Sequence, residues 1–161
     1  GAYDPALETL YWPTGNPGPD MIGDDRIGDN LYSDSVIALD PKTGRLKFNF
    51  DAKAYMFSSA ALAGDLAYVG NHNGKLYAIH TKTGKLAWEF QTEASKTDRM
   101  KVLNPDGTLN REAFSPVFGD FGDMYIDFYR FVSIGAIVSS PVVDRGVVYV
   151  GSMDGKLYAL Q

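Results

Sequence analysis

The sequence predicts an all-β fold built from repeated four-stranded antiparallel sheets, and three observations point to it. The apolar runs are short and rich in β-branched and aromatic residues, as in Tyr68-Val69-Gly70, Leu76-Tyr77-Ala78-Ile79 and Val147-Val148-Tyr149-Val150. Tight-turn dipeptides separate them: Thr43-Gly44, Asn73-Gly74 and Asp154-Gly155. The third observation is an internal repeat. Residues 58–79 read SSAALAGDLAYVGNHNGKLYAI and residues 139–160 read SSPVVDRGVVYVGSMDGKLYAL, aligned without a gap at an offset of 81 (58 to 139).

That offset is twice the ~40-residue period of a propeller blade. A second repeat overlaps the first. Ala38-Leu39-Asp40-Pro41-Lys42-Thr43-Gly44-Arg45-Leu46-Lys47-Phe48 matches Ala78-Ile79-His80-Thr81-Lys82-Thr83-Gly84-Lys85-Leu86-Ala87-Trp88. The shared pattern is Ala-x-x-x-Lys-Thr-Gly-x-Leu-x-aromatic. It encodes a strand, a turn whose Gly accepts positive φ, and a strand whose large ring packs on a neighbour.

The strands follow in order. A first blade is expected in 1–56, with strands near 2–4, 9–14, 32–39 and 45–50 around a long acidic loop. A second, in 57–91, carries four strands. An insertion fills 92–136. A third blade, in 137–161, stops after three strands, before its own turn motif. The fold expected is thus a partial β-propeller of about three blades, the last incomplete. Closed propellers carry ~4–8 blades, so three cannot close a ring. The bare sheet faces imply self-association or further blades of the same propeller.

Composition narrows the function. At 161 residues, 45% hydrophobic and 22% charged, the chain can build a core. No stretch has the ~20 apolar residues of a membrane span. Gly1 opens onto Ala-Tyr-Asp-Pro, without the basic and apolar regions of a secretory leader. A net charge of −5 argues against a nucleic-acid partner. The absence of cysteine excludes disulfides, thiolate metal sites and a Cys nucleophile. With only His72 and His80 as imidazoles, a His-rich metal site or a Ser-His-Asp triad has little material.

The Lys-Thr-Gly pattern resembles the tryptophan-docking repeat of propellers related to quinoproteins, which use pyrroloquinoline quinone (PQQ). Trp88 takes the place of the repeat's docking Trp, with Phe48 in the earlier copy, and Gly44 and Gly84 the turns. His80 replaces the Asp that Asp40 keeps. Residues 3–40, YDPALETLYWPTGNPGPDMIGDDRIGDNLYSDSVIALD, resemble the quinoprotein alcohol dehydrogenases through Tyr-Asp-Pro, Thr-Gly-Asn-Pro and Gly-Asp-Asn in order. The resemblance implies that Asn16 supplies an amide oxygen to a cation, usually Ca²⁺, that also grips PQQ and acts as a Lewis acid. It also implies a periplasmic or extracytoplasmic setting.

The rest of that machinery is not found. The resemblance places a general-base Asp, in a His-Asp-x-Trp-Asp-type context, where this chain reads Phe50-Asp51-Ala52-Lys53-Ala54-Tyr55-Met56-Phe57-Ser58. Asp51 falls too early to inherit the role. The metal-binding Glu, the Trp floor and the Cys pair lie on earlier blades in that family. From residue 58 to 161 the chain resembles the generic PQQ-like repeat proteins instead. No catalytic residue is therefore assigned, and neither PQQ nor Ca²⁺ is expected to bind tightly to this chain alone. Three readings stay open: a piece or subunit of a PQQ- and Ca²⁺-dependent alcohol dehydrogenase-like propeller, a non-catalytic scaffold that binds proteins, and an engineered or chimeric piece.

The remaining polar candidates have plainer expected roles. Asp20, Asp24, Asp25, Asp29 and Asn30 lack EF-hand spacing and read as a solvated loop with Asx turns. His72 is expected exposed at a hairpin tip, and His80 as a structural hydrogen bonder. The glycines from Gly15 to Gly18 precede no helix, so no phosphate cradle is expected. In the insertion, Phe121, Met124, Tyr125, Phe128 and Val132 form one helical stripe, with Asp120 as a cap. That stripe is expected to pack on the propeller's own edge rather than to face a partner.

Overall fold

The computed structural model describes residues 1–15, 28–114 and 121–161. Among the described residues, eleven strands form three antiparallel sheets. The first contains β1 (Ala2–Asp4), β2 (Thr9–Pro13), β3 (Ser35–Leu39) and β4 (Leu46–Asp51). The second contains β5 (Ala61–Ala63), β6 (Leu66–Gly70), β7 (Lys75–His80) and β8 (Leu86–Gln91). The third contains β9 (Val142–Asp144), β10 (Val147–Gly151) and β11 (Leu157–Leu160). Each strand pairs with its sequence neighbour, giving three meanders. The first strands β1, β5 and β9 lie side by side, so the sheets radiate from one edge like blades.

The repeat reappears in the ladder. Register shifts fall between Ala38 and Leu39 in β3 and between Ala78 and Ile79 in β7, 40 positions apart (38 to 78). Each bulge turns the chain into the same loop. Gly44 N–H donates to Asp40 O at 2.8 Å and Gly84 N–H to His80 O at 2.9 Å. Both glycines have positive φ, +71° and +69°. Asp40 further braces its turn, with Oδ1 accepting from the amides of Lys42 and Thr43 at 2.8 and 3.0 Å. Those amide bonds, that of Thr43 foremost, hold its carboxyl below the usual carboxylate range. His80 gives its turn no such brace. Its half-exposed ring lies 4.0 Å from Asp65 instead.

Alternation sends one row of side chains from each sheet into each inter-sheet core. Tyr11, Val36, Ala38, Phe48 and Phe50 of the first sheet meet Met56, Val69, Tyr77 and Ile79. Tyr68, Leu76, Ala78 and Phe90 of the second meet Val148, Val150, Tyr158 and Leu160. Each fully buried aliphatic or aromatic side chain contributes roughly 1.5–3 kcal/mol, so these two layers are the main cohesion of the three sheets. Polar bonds set the spacing between them. Tyr11 Oη donates to Thr81 O at 2.9 Å, and Ser59 N–H donates to Ser140 Oγ at 2.9 Å.

Among the described residues, two α-helices, α1 (Glu93–Thr97) and α2 (Phe121–Ser133), and a short 3-10 turn at Arg111–Ala113 occupy the stretch between the second and third sheets. Thr92 caps α1, its side chain accepting from Ser95 N–H. The expected packing of the α2 stripe is corrected in part. Tyr125 and Phe128 are 64% and 62% exposed, while Asp127 of the same helix is buried. The helix is amphipathic, but the face that carries Asp127, paired with Arg130 at 3.1 Å, is the one turned inward, and the ring-rich face is left exposed. Phe131 makes the contact with the second sheet. The side chains of Phe121 and Met124, and the Asp120 cap, lie outside the described residues.

Candidate functional site

In a meander, the links from second to third strand and from fourth strand to the next sheet all lie at one end. That end gathers the described ends of the connection between β2 and β3, the stretch 52–60, the hairpin 71–74 and the ends of the insertion. Asn16, Asp20, Asp24 and Asp25 lie outside the described residues. Asp29 and Asn30 are described and exposed. Trp88, Phe48, Gly44 and Gly84 sit at the opposite end or on the outer strands.

The hairpin Asn71–Gly74 is the hub of this end. Asn71 Nδ2 donates to Ala52 O and Ala54 O at 3.1 and 2.9 Å, and His72 N–H donates to Tyr55 O at 2.9 Å. Asn73 Nδ2 donates to Tyr77 Oη at 3.0 Å, which donates to Ala52 O at 3.1 Å. Ser95 Oγ donates to Asn73 O at 2.6 Å, tying α1 to the same tip. Burial pushes the Tyr77 hydroxyl up to about 12, so it stays a donor at any working pH.

The expectation for His72 is overturned: the residue is only 2% exposed. Its ring stacks on Phe131 with centroids 3.5 Å apart and is flanked by Tyr55 and Phe57. Nε2 lies 2.9 Å from Phe131 O, so Nε2 carries the proton and Nδ1 is bare, buried and without a hydrogen-bond partner. Burial depresses its pKa to about 4 despite that bond. A hairpin tip is exposed unless something covers it, and here α2 and Ala52–Phe57 do. The local signal lay in the departure from the repeat, Asn-His-Asn against Ser-Met-Asp in the other copy.

The stretch Phe50–Ser58 is given over to packing. Asp51 pairs with Lys53 Nζ at 2.5 Å. Ala52, Ala54 and Met56 are buried. Ser58 Oγ both donates to Gly70 O and accepts from Gly70 N–H, each at 2.8 Å. Three nearby non-glycine residues hold left-handed backbone, Tyr32 at φ 66°, Asp34 at φ 51° and Lys53 at φ 71°. Such strain is sustained only where surroundings over-determine it, here by Asp34 N–H bonded to Gly15 O and Ala52 N–H to Asp34 O.

The described residues do not by themselves fit a PQQ–Ca²⁺ centre. Among them no three of His, Asp and Glu gather around a common point. The amide oxygens of Asn71 and Asn73 are already engaged, accepting from the backbone of Asn73 and Lys75.

Meanders that radiate from one edge with repeated bulged turns give the chain the architecture of a partial β-propeller, and parts of it are similar to PQQ-repeat, quinoprotein-type propellers. Residues 1–53 match the family model of the glucose/ethanol/alcohol dehydrogenase β-propeller domain. The quinoprotein alcohol dehydrogenase PedH of Pseudomonas putida is 44% identical over 104 residues, 56% of this chain and 17% of the relative. The dehydrogenase subunit of the quinone alcohol dehydrogenase of Acetobacter aceti is 28% identical over 145 residues, 74% of this chain and 20% of the relative. A solved europium-containing methanol dehydrogenase shares the fold, with a TM-score of 0.51 and 17% identity over 92% of this chain and 23% of its own. The chain thus spans about a fifth of the length of the curated relatives it matches. No helix among the described residues is long and apolar enough to cross a membrane.

Proposed function

We propose that this chain contributes blades to a propeller of the PQQ-dependent alcohol dehydrogenase type and does not oxidise alcohols by itself. Asn16 supplies one oxygen to the cation held with PQQ in the complete propeller, and the setting is extracytoplasmic. The cation is Ca²⁺, as the Thr-Gly-Asn-Pro resemblance implies, or a lanthanide, as in the europium-containing neighbour. One observation carries the non-catalytic part. In the stretch Phe50–Ser58, where the resemblance places a general base, the one carboxylate is Asp51, which falls too early and is paired with Lys53.

The test has two arms. The chain, given PQQ with Ca²⁺ or Eu³⁺, is assayed for alcohol-dependent reduction of an artificial electron acceptor; turnover above the protein-free blank would sink the non-catalytic reading. In a polypeptide carrying the complete propeller, Asn16→Ala is expected to lose PQQ on dialysis. Retention equal to the unaltered protein would remove Asn16 from the site.

A second reading, a protein-binding scaffold, draws on the aromatic surface of α2, where Tyr125, Ile126, Phe128 and Tyr129 are exposed. Hydroxyl-radical footprinting of the protein in its native extract tests it. Full modification of Tyr125 and Tyr129 there would end this reading.

A further inference from the structure

We propose that the turn 80–84, between β7 and β8, is a binding site for a carboxylate, held by the main-chain N–H groups of Lys82 and Thr83. The inference rests on comparing two copies of one turn and is independent of the PQQ reading. The two copies share a backbone. Asp40 N–H donates to Arg45 O and His80 N–H to Lys85 O, each at 2.9 Å. Gly44 and Gly84 donate back to Asp40 O and His80 O with nearly the same positive φ. The threonine contact recurs as well: Arg45 N–H reaches Thr43 Oγ1 at 3.3 Å, and Lys85 N–H reaches Thr83 Oγ1 at 3.4 Å.

The copies differ at one seat. In the first, Asp40 Oδ1 accepts from both Lys42 N–H and Thr43 N–H, at 2.8 and 3.0 Å. In the second, His80 has no carboxylate to offer, and its ring lies 4.0 Å from Asp65 instead. Among the described residues nothing accepts from Lys82 N–H, and Thr83 N–H has only a 3.3 Å bond to His80 O. Two neighbouring donors thus stand where the first copy keeps an anion, a small backbone nest. The space is open too: a cleft of about 300 Å³ is lined by Asp65, His80, Lys82 and Thr83. Charge agrees with shape. Lys82 and Lys85 flank the turn, and the one carboxylate that lines the cleft, Asp65, is faced by His80. The ligand is therefore a carboxylate, carried by a free acid or by an acidic side chain of another polypeptide.

The experiment titrates the isotope-labelled full chain with sodium acetate at neutral pH, with sodium chloride holding the ionic strength constant, and follows backbone amide shifts. Saturable shifts at Lys82 and Thr83 are expected, with a Kd on the order of 10 mM, and none at Lys42 and Thr43. His80→Asp supplies the turn with its own carboxylate and is expected to abolish the response. His80→Ala leaves the seat empty and is expected to bind as the unaltered chain does. Asp40→Ala is expected to create a second responsive pair at Lys42 and Thr43. A short peptide with a single Asp, titrated in parallel, separates the sources: tighter binding than acetate assigns the site to a protein side chain, and equal or weaker binding to a free acid. Shifts that do not saturate, or that a chloride titration reproduces, overturn the proposal. So does a response that survives His80→Asp, or one lost in His80→Ala, since the imidazole and not the turn would then hold the anion.

Discussion

Phe48 of the first sheet lies directly over Gly84 in the turn of the second, so that a methyl group at position 84 would stand 2.6 Å from the ring's Cγ. Gly44 occupies the same turn one blade earlier with the same left-handed backbone, yet a methyl group there would meet nothing within 4 Å. The pair separates backbone strain from inter-sheet packing. Gly44→Ala is expected to cost about 1 kcal/mol, the conformational term alone. Gly84→Ala is expected to cost about 1–3 kcal/mol more, because the ring must leave its seat. Urea denaturation of both variants decides; equal losses would mean that Phe48 is not seated on the turn.

Ser58 and Ser139 make the same two-way bond, to Gly70 and to Gly151, 81 positions apart (58 to 139). They differ in burial: Ser58 is enclosed, while Ser139 and Gly151 are half-exposed. Removing the enclosed hydroxyl strands a donor and an acceptor away from water, so Ser58→Ala is expected to cost about 2–3 kcal/mol. Ser139→Ala is expected to cost about 1 kcal/mol or less, since water replaces the lost partner. Thermal unfolding of the two variants side by side gives the ranking. The reverse order would contradict the burial.

Tyr11 and Tyr149 occupy equivalent positions on facing rows, but only Tyr11 has a neighbouring sheet to bond. Its hydroxyl reaches Thr81 O at 2.9 Å from a fully buried ring. Tyr11→Phe is expected to destabilise by about 1 kcal/mol, and Tyr149→Phe to leave stability within about half that of the unaltered chain. Chemical denaturation at neutral pH measures both.

The sheets were legible because they rest on local chemistry repeated in sequence. Asn73-Gly74 and Asp154-Gly155 make turns, and the valines and tyrosines between them make strands, whatever surrounds them. Comparing Ala38–Phe48 with Ala78–Trp88 added the period, and the period added the radial arrangement. Long-range burial was not legible. Nothing within Asn71-His72-Asn73 says that α2 and Ala52–Phe57 will close over it. Likewise the ring-rich stretch of α2 does not reveal that Phe131 turns inward while Phe128 stays in solvent, because the inward face is the one that carries Asp127, which a reading of the pattern assigns to water. Asn16, the residue on which the cofactor resemblance rests, lies outside the described residues and keeps only its sequence argument.

His72 gives the chain a pH dependence with a definite sign. In the unfolded chain the imidazole titrates near its ordinary 6.5, whereas burial between Phe131, Tyr55 and Phe57 lowers it to about 4. The unfolded state therefore binds a proton that the folded state refuses, and stability rises with pH across that interval. The contribution is complete above about 6.5 and is lost progressively as pH falls toward 4, by at most roughly 3 kcal/mol. Acidic side chains titrate near the lower end as well, so the unaltered chain alone does not isolate the effect. His72→Phe keeps an aromatic ring for the stack and removes the titrating nitrogen, at the cost of the bond to Phe131 O. It is expected to be less stable at pH 7.5 and to show a flatter denaturation midpoint between pH 6.5 and 4.5. If both proteins keep parallel midpoints across that range, His72 is not protonated on unfolding there, and its burial under α2 is wrong.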